Sequence, residues 1–527
     1  MSPAPVYRKP FNKKRLLFIT PEECRTIAKT YGTPVTVYDE KTLSRYTNDL
    51  LKAPHAYGLV ARYAVKANIN ATLITFLAQR GFYFDASSHW EVARLLRYGI
   101  PGNRILLTAQ EKTPTPEKML RRGVELNATS LHQLQLYAAA SRTCGRTSLS
   151  IRVNPGSSSS VQYKTNVAGG DSSFGIWHEF LTTVLAVAKR YAIRITRLHV
   201  HLSSNTDPDE WLKLIEQVLV KIVPQLPDVT HFNVGGGFAI ARYTDEYQTS
   251  LHTVLGQLKR YIRDFYKKTA RKLVIELEPG AYLVAHAGLL ISTIDDIVIT
   301  PRENQMNSST KSTSTHSIST NSVSTNSIST NSISTNSIST NSMRHGHNHQ
   351  KNAQHLPIKP HLDKTTAHNY NIFVKLNTGM NDLMRPALYG ARHYMAIIKA
   401  RANLNQQSAA VLQKAVSNEY FSYMTSIDAA VPVILVGHCC EKGDLLTPQA
   451  NNPHCAETRT LAKLSIGDYV IITGVGAYGT SLANHYNSFP FLAECWRDSD
   501  RRIQLIRKRQ TLADLTRSEI NIFKPGY

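Results

Sequence analysis

The chain has 527 residues, 42% of them hydrophobic, and its 61 lysines and arginines against 38 aspartates and glutamates give a formal charge of +23 at pH 7. The composition is typical of a globular protein. Because no apolar run approaches the ~18 residues that a membrane span requires, an integral membrane protein is excluded. Six cysteines with no CxxC pair are too sparse for a disulfide framework and give no reason to expect zinc.

The first twenty residues are basic and contain no acid. Their apolar stretch, residues 16–19, is too short for the core of a signal peptide. We therefore predict a basic tail over residues 1–20 and a cytoplasmic protein. The remaining positive charge is spread along the chain without a zinc-finger, helix-turn-helix or RNA-recognition signature, so specific binding to nucleic acid is not expected.

Residues 302–368 differ in composition from the rest of the chain. Between His316 and Met343 the pentapeptide Asn-Ser-Ile-Ser-Thr repeats, and the histidine-rich stretch RHGHNHQ follows. With so few large apolar side chains, this segment cannot offset the cost of ordering its backbone. We predict a disordered insertion between two folded segments, and we favour a solvated loop over metal binding for its histidines.

Before the insertion, short β-rich runs alternate with helical patterns, which is typical of a parallel α/β fold. The runs are 59–68, 81–88, 104–109, 124–130, 148–155, 195–204, 230–237 and 273–280. They predict a TIM-like (β/α)8 barrel over residues 41–301, with the active site at the carboxyl ends of the strands. Those ends carry polar or glycine residues, namely Lys66, Asp85, Asn127, Arg152, His201, Gly235 to Gly237 and Glu278.

After the insertion, strands without long helices predict a mainly β C-terminal domain over residues 369–527. The β-like run 33–39 precedes the barrel, and we expect residues 21–40 to add a strand to the same sheet. The β domain would then be discontinuous in sequence. Residues 474–479 match the dinucleotide pattern GxGxxG, but a poor helix follows them, so we do not expect a dinucleotide site.

Some strand-end residues suggest particular chemistry. Lys66 has apolar neighbours, and burial would favour an amine able to form a Schiff base, although a solvated cation is the simpler interpretation. The glycines at 235–237 could approach an anion through backbone N–H groups, or they could form a tight turn. Glu278 could pair with a protonated ring nitrogen, and His201 could stack on such a ring. His199 points to the same face as His201, but no third ligand at metal spacing is apparent, and we expect no metal.

A set of motifs carries a resemblance to a known family. The motifs are YAVKAN, HVHLSS, NVGGGF, ELEPG, GMNDLMRPALYGARH, CEKGD, GAYG and HYNSFP. In order and spacing they resemble those of pyridoxal-phosphate decarboxylases of the alanine-racemase-like fold (fold type III), in particular the diaminopimelate decarboxylase family in its enteric bacterial form. The resemblance covers nearly the whole chain except the extreme N-terminus and the insertion.

The resemblance implies pyridoxal 5'-phosphate as the cofactor. Lys66 would hold it as a Schiff base, His201 would stack on its ring, and Glu278 would keep the ring nitrogen protonated. The other cofactor contacts that the resemblance implies are Asp85, Arg152, Ser204, Gly235, Gly236, Gly237 and Tyr478.

The resemblance also implies the substrate contacts and the oligomeric state. Arg385 and Tyr389, with Tyr478 beside them, would bind a substrate carboxylate, which suits a guanidinium fork and a phenol. Cys440 would donate a proton to the carbanion, and Glu441 would recognise the distal amino group. In this family the Cys-Glu pair reaches across a dimer interface, so a homodimer with shared active sites is implied. The catalytic residues would be Lys66, His201, Glu278 and Cys440.

Some positions depart from the family pattern. Ala281 stands where the family has the arginine of Glu-Pro-Gly-Arg, so a cation expected beside the phosphate and the substrate carboxylate is missing. The sequence leaves open whether Arg242 or another cation replaces it. One lost charge-assisted hydrogen bond costs about 1.5–3 kcal/mol if nothing substitutes. There are five other departures. The family has glycine where this chain has Ser203, aspartate where it has Asn377 and Gly474, serine where it has Lys442, and arginine where it has Phe489.

The expected activity is decarboxylation of meso-2,6-diaminopimelate to L-lysine and carbon dioxide, the last step of lysine biosynthesis. The alternative, motivated by Ala281, is a decarboxylase of the same fold that acts on another amino acid or on a siderophore precursor. A non-catalytic homologue is less favoured, because a protein that only binds has little need of both the Schiff-base lysine and the proton donor.

Overall fold

The computed structural model of the chain describes residues 7–12, 16–157, 168–202, 207–301, 370–400, 431–461, 464–520 and 523. The predicted insertion over 302–368 and the predicted phosphate contact Ser204 lie outside these residues. The described residues form a barrel followed by a mainly β domain, which confirms the predicted fold class.

The first elements of the chain are strand β1 (Arg8–Pro10), helix α1 (Pro21–Tyr31), strand β2 (Val35–Asp39) and helix α2 (Glu40–Leu51). The strands that follow are β3 (Leu59–Ala64), β4 (Tyr83–Ala86), β5 (Ile105–Leu107), β6 (Glu125–Ala128), β7 (Ser148–Asn154), β8 (Ile176–Trp177), β9 (Arg194–His199), β10 (His231–Asn233), β11 (Tyr247–Thr249) and β12 (Val274–Leu277). Eight of them pair in the order β6-β5-β4-β3-β12-β10-β9-β7, and β6 also pairs with β7, which closes the ring. Each of these eight strands overlaps one predicted run.

Helices connect the strands of the barrel and cover its outside. They are α3 (Ala71–Gln79), α4 (His89–Arg97), α5 (Pro116–Arg121), α6 (Leu131–Thr143), α7 (Leu181–Tyr191), α8 (Pro208–Lys221), α9 (Leu251–Thr269) and α10 (Ala281–Val284). The hydroxyl of Ser88 caps α4 by accepting from the backbone N–H of Glu91, 3.1 Å away. Ser130 caps α6 through Gln133 at the same distance. The buried faces of these helices and strands form the largest apolar core of the described chain.

The β domain follows the barrel. Its strands are β13 (Gly288–Pro301), β14 (Tyr370–Leu376), β15 (Met395–Ile398), β16 (Val431–Val436), β17 (Pro448–Gln449), β18 (Asn452–Ala456), β19 (Arg459–Leu461), β20 (Tyr469–Thr473), β21 (Ala493–Arg497) and β22 (Ile503–Arg507), with helices α11 (Arg385–Tyr389) and α12 (Leu512–Thr516). The main sheet has the order β19-β16-β14-β13-β2-β21-β22, and β20 joins β13 to β15. Strand β2 pairs with β13 and β21, so the N-terminal strand belongs to this sheet as predicted.

The boundary between barrel and β domain differs from the predicted position at residue 301. Strand β13 pairs with β2, β14 and β20, all of which belong to the β domain. Residues 288–301 therefore leave the barrel, and the boundary lies near residue 287. The sequence did not place it there because an apolar strand gives no local sign of the sheet that it joins.

The described part of the predicted N-terminal tail is integrated into the fold. Strand β1 pairs antiparallel with β11, and Arg8 forms an ion pair with Asp207. Leu16 is 1% exposed and packs with Tyr394. Residues 7–12 and 16–20 are therefore not a free tail. In the described ranges, no helix is both long enough and apolar enough to cross a membrane.

Candidate active site

A cavity of about 440 Å³ opens where the carboxyl ends of the barrel strands face the β domain. Residues of both domains line it, and several of them were predicted as site residues from the sequence. The predicted residues that line it are Lys66, Asp85, Arg152, His201, Gly237 and Glu278 of the barrel, and Arg385, Tyr389 and Tyr478 of the β domain. The fold thus brings residues that are more than 400 positions apart in sequence into one site.

Lys66 lies in a single helical turn, Val65–Ala67, directly after β3. Val65 is 1% exposed and Ala67 is fully buried, whereas the Lys66 side chain is exposed in the cavity. Of the two interpretations of Lys66, burial of its side chain is wrong, because only its neighbours enter the core. The amine is positioned by a rigid turn and remains accessible to a reactant.

Glu278 is 7% exposed and follows β12. Its carboxylate accepts a hydrogen bond from Asn233 Nδ2 at 2.5 Å and lies 3.3 Å from His199 Nε2. Although burial favours the neutral acid, His199 and the hydrogen bond from Asn233 outweigh it and hold the pKa of Glu278 well below its usual range. The buried carboxylate is therefore ionised, as a partner of a protonated ring nitrogen must be.

Asp85 lies at the end of β4 and behaves in the opposite way. Burial and the nearby charge of Glu278 raise the pKa of Asp85 well above its usual range, although Lys66 opposes this. The hydroxyl of Thr108 donates to its carboxyl group at 2.8 Å. Of these two neighbouring carboxyl groups, Glu278 thus stays ionised, and Asp85 takes up a proton more readily.

His201 follows β9 and presents a neutral ring to the cavity. Burial, with the charges of Arg152 and Lys66, lowers the pKa of His201 well below its usual range. Its Nδ1 accepts a hydrogen bond of 3.1 Å from the backbone N–H of Gly236, which fixes the ring. A flat, uncharged ring held in this way suits stacking on an aromatic group.

The glycine run 235–237 forms a close contact with this histidine. A Cβ on Gly235 would lie 2.3 Å from His201 Nδ1, and a Cβ on Gly236 would lie 2.2 Å from the Glu278 carbonyl oxygen. The N–H of Gly235 donates to Asn233 Oδ1 at 2.9 Å, so the amides of Gly235 and Gly236 both have partners within the protein. Of the three glycines, only Gly237 lines the cavity. Gly235 and Gly236 thus lie outside the cavity, packed against His201 and the backbone of Glu278.

His199, His201 and Glu278 form a cluster whose donor atoms lie within 4.8 Å of one another. The expectation that no third ligand accompanies the two histidines is therefore wrong. However, His199 Nδ1 is 2.8 Å from Asn127 Nδ2, and Glu278 and His201 already accept hydrogen bonds, as described above. Among the described residues, His199 Nε2 has no hydrogen-bond partner, but the hydrogen bonds that Glu278 and His201 already accept favour the role beside an organic ring over coordination of a metal.

Sequence reasoning did not find several residues that line the cavity, including Ser87, Phe174, Glu246, Arg392 and Asn451. Phe174 packs on a predicted residue, since the Arg152 guanidinium carbon lies 3.6 Å from its ring centroid. Burial lowers the pKa of Arg152 to about 10, although Glu278 and Asp85 oppose the shift. Ser87 lies in a predicted β run and Arg392 in one of the family motifs, but neither carries a local sign that it lines the cavity, and that position depends on the folded chain.

Cys440 and Glu441 are exposed and do not line the cavity of their own chain. Asn487 holds Cys440 twice, because its Nδ2 donates to Sγ and its Oδ1 accepts from the Cys440 N–H, both at 3.0 Å. The hydroxyl of Tyr486 donates to Glu441 at 2.6 Å. The pair is therefore ordered by its own domain but separated from the other predicted site residues.

Residues 43–285 match the pyridoxal binding domain of the pyridoxal-dependent decarboxylase family. The barrel and its cavity thus match the cofactor-binding domain of the pyridoxal-dependent decarboxylases, which confirms the predicted cofactor. Over 95% of its length, the chain is also similar to diaminopimelate decarboxylases, with 24% identity to that of Escherichia coli K12 and 26% to that of Streptomyces coelicolor. These alignments cover 97% and 91% of the two relatives. The family resemblance predicted from the motifs is confirmed.

Solved structures show the same fold. A diaminopimelate decarboxylase crystal structure has a TM-score of 0.71 at 24% identity, covering 95% of this chain and 98% of the other. The Helicobacter pylori diaminopimelate decarboxylase, complexed with L-lysine, has a TM-score of 0.67 at 23% identity, covering 93% and 98%. A lysine/ornithine decarboxylase from Vibrio vulnificus, complexed with putrescine, has a TM-score of 0.60 at 16% identity, covering 92% and 98%.

Proposed function

We propose that this chain decarboxylates meso-2,6-diaminopimelate to L-lysine and carbon dioxide, with pyridoxal phosphate as cofactor. The observation that carries the proposal is a single cavity that combines an accessible Lys66 amine, an ionised Glu278, a neutral His201 ring and the cation Arg385. The curated relatives and solved structures named above support the choice of substrate.

The residues present fit the cofactor. Lys66 would hold it covalently, His201 would cover one face of its ring, and Glu278 would pair with its ring nitrogen. Asp85 and Arg152 would support this arrangement, while Gly237 and Tyr478 line the cavity where the phosphate would lie. When bound, pyridoxal phosphate supplies a ring that accepts the electrons released as carbon dioxide leaves. The ionised Glu278 favours this acceptance, because a carboxylate stabilises positive charge on the ring nitrogen.

The β domain contributes the groups that would recognise the substrate. Arg385 and Tyr389 lie on one short helix, with the guanidinium carbon 5.9 Å from the tyrosine ring centroid. A guanidinium beside a phenol can bind a carboxylate through two or more hydrogen bonds. The Ala281 departure favours a second candidate, decarboxylation of another amino acid by the same chemistry.

We also propose a homodimer with shared active sites. Cys440 and Glu441 are exposed and lie outside their own cavity. A partner chain could bring both into the cavity, where Cys440 would protonate the carbanion and Glu441 would bind the distal amino group. The shared site would be complete only when two chains associate.

The experiment that tests the activity is incubation of the holoenzyme with meso-diaminopimelate while L-lysine and carbon dioxide are measured. The Lys66→Ala variant should lose both products and the visible absorbance of the lysine-bound cofactor. Products from another amino acid, with none from diaminopimelate, would instead support the second candidate. Wild-type protein that takes up no pyridoxal phosphate would contradict both.

The dimer is tested by mixing two inactive variants, Lys66→Ala and Cys440→Ala. If each site needs Lys66 from one chain and Cys440 from the other, mixed dimers contain one intact site, and random mixing restores about a quarter of wild-type activity. A Lys66→Ala/Cys440→Ala double variant mixed with wild type is the control for subunit exchange. Subunit exchange without recovery of activity would mean that the active sites are not shared between two chains.

A further inference from the structure

Arg242 lies in the loop after β10 and lines the same cavity as Ala281, the position where the family has an arginine. Its side chain is buried, with 5% exposed. The loop itself is fixed, because the Arg242 backbone N–H donates to Glu246 at 2.7 Å. A buried cation therefore occupies the cavity from a different segment of the chain.

A second departure from the family pattern makes room for this arginine. Gly474 stands where the family has aspartate, and a Cβ on it would lie 3.1 Å from Arg242 Cγ. Gly474 also has a φ of +71°, and its carbonyl oxygen accepts from Arg242 Nε at 3.2 Å. An aspartate would crowd the guanidinium stem. The glycine at 474 thus accommodates an arginine at 242, and Ala281 lines the same cavity.

Arg242 and Arg385, which both line the cavity, have unused hydrogen-bond donors. Within the described ranges, Arg242 Nη2 and Arg385 Nε are buried without a hydrogen-bond partner. A buried donor without a partner costs about 1–3 kcal/mol, and more if it is charged. Both guanidinium groups are therefore suited to an acceptor that enters the cavity.

The charges around the pair are not balanced within the chain. Burial first, and then the charge of Arg385, lower the pKa of Arg242 to about 9. Glu246 is the acid that faces them, and burial raises its pKa. Arg392 lines the cavity but pairs with Asp245. His393 is kept neutral, because burial and the two arginines lower its pKa well below its usual range. A bound anion would relieve the repulsion between the two guanidinium groups.

We propose that Arg242 replaces the arginine missing at position 281 and, with Arg385, binds the carboxylate that the substrate retains. The inference rests on the proposed decarboxylation. A carboxylate that leaves as neutral carbon dioxide loses its charge in the transition state, so two cations beside it would oppose the reaction. The retained carboxylate keeps its charge throughout, and cations there orient the substrate without that penalty.

The test measures ligand binding to the holoenzyme. L-Lysine has the retained carboxylate, and 1,5-diaminopentane has the same chain without it. In Arg242→Gln, loss of one charge-assisted bond should weaken L-lysine binding about 10- to 100-fold. Binding of 1,5-diaminopentane and of pyridoxal phosphate should change less than about twofold. Arg242→Lys keeps the positive charge but not the planar guanidinium with its paired donors, so its loss of L-lysine affinity should be smaller.

Two further variants complete the design. Arg271→Gln is the control, because Arg271 donates to the backbone oxygens of Leu226 and Val229 and does not line the cavity. The double variant Arg242→Ala/Ala281→Arg should recover L-lysine binding. If Arg242→Gln fails to fold, Arg242→Lys and this double variant provide the same comparison.

Unchanged L-lysine binding in the Arg242 variants, or a loss confined to pyridoxal phosphate affinity, would overturn the proposal. The latter outcome would assign Arg242 to the cofactor phosphate. Wild-type protein that binds no L-lysine would contradict the proposed substrate, and glutarate, a dicarboxylate without amino groups, then serves as the probe. Loss of glutarate binding in Arg242→Gln would still support a carboxylate site, whereas equal binding would reject it.

Discussion

The backbone N–H of Tyr478 donates a hydrogen bond of 2.8 Å to the carbonyl oxygen of Ala67, the residue next to Lys66. A loop of the β domain is thereby fixed to the turn that positions the lysine of the barrel. Asn68 adds a second bond, from its Nδ2 to the carbonyl oxygen of Gly476 at 2.9 Å. Tyr478 has a φ of +57°, a backbone conformation that non-glycine residues rarely adopt. The site therefore depends on the contact between the two domains.

This contact makes Gly476 intolerant of a side chain. A Cβ there would lie 1.9 Å from the Val284 carbonyl oxygen, so Gly476→Ala must push the loop away from the barrel. We expect a loss of stability of about 1–3 kcal/mol, as for overpacking in a core, and weaker binding of pyridoxal phosphate. Thermal unfolding and cofactor titration measure the two effects.

Gly256→Ala is the matched control, because its new Cβ would meet only Pro54 at 3.9 Å, in the middle of helix α9. Alanine there should be neutral or stabilising by up to about 1 kcal/mol. If Gly476→Ala bound the cofactor as tightly as this control, the domain contact would not be needed to form the site.

A substitution at Gly235 tests whether the packing of this glycine against His201 is needed for cofactor binding. In Gly235→Ala the Cβ would lie 2.3 Å from His201 Nδ1, and the ring would have to move. We expect pyridoxal phosphate affinity to fall at least about tenfold, since a misplaced stacking ring loses about 1.5 kcal/mol of aromatic contact. Equilibrium dialysis and the visible absorbance of the loaded protein report the change.

The control for Gly235→Ala shares its backbone strain. Gly81 has a φ of +84° and no atom within 4 Å of an added Cβ, whereas Gly235 has a φ of +71° and the histidine. Both variants should lose about 1 kcal/mol of stability from the left-handed backbone, but Gly81→Ala should keep its cofactor. Equal cofactor loss in the two would mean that strain, and not the contact with His201, is responsible.

The barrel and much of its site could be predicted because the signals are local. Alternation of β-rich and helical patterns placed the strands, and the topology of a parallel barrel then brought strand-end residues such as Asp85 and Glu278 to one end. The sequence left open whether Lys66 is buried or exposed, since its neighbours are apolar and only the closed fold shows that they alone turn inward. The pairing of Glu278 with Asn233 and His199 likewise joins three strand ends, for which a single sequence has no signal.

Glu276 gives a prediction on stability that is independent of the cofactor. It is fully buried, and its carboxylate lies 2.7 Å from Arg62 Nε and 3.0 Å from Arg197 Nε. Although burial opposes it, these two arginines lower the pKa of Glu276 to about 2. Glu276→Gln leaves both arginines underneutralised and should cost about 3–5 kcal/mol at pH 7, measured by urea unfolding.

The pH dependence of this difference has a defined sign. A carboxylate with a folded pKa below its unfolded value of about 4.3 stabilises the protein above pH 4.3, and the contribution is lost as pH falls through 2. The gap between wild type and Glu276→Gln should therefore narrow as the pH is lowered from about 5 towards 2. A gap that is constant over this range would mean that packing, and not charge, explains the loss.

Asn487 is a positioning residue for Cys440, because its amide holds both the thiol and the backbone N–H of the cysteine at 3.0 Å. Asn487 has a φ of +54°, so Asn487→Gly removes the amide without adding backbone strain. If Cys440 donates the proton, its misplacement should lower kcat about tenfold or more. Cofactor affinity and the KM for meso-diaminopimelate should change little, because Glu441, which would bind the distal amino group, is held by Tyr486 and not by Asn487. A solvent isotope effect on kcat should rise in the variant, since proton transfer would become slower. A variant that lowers kcat and cofactor affinity together would contradict this role and would indicate a general loosening of the domain.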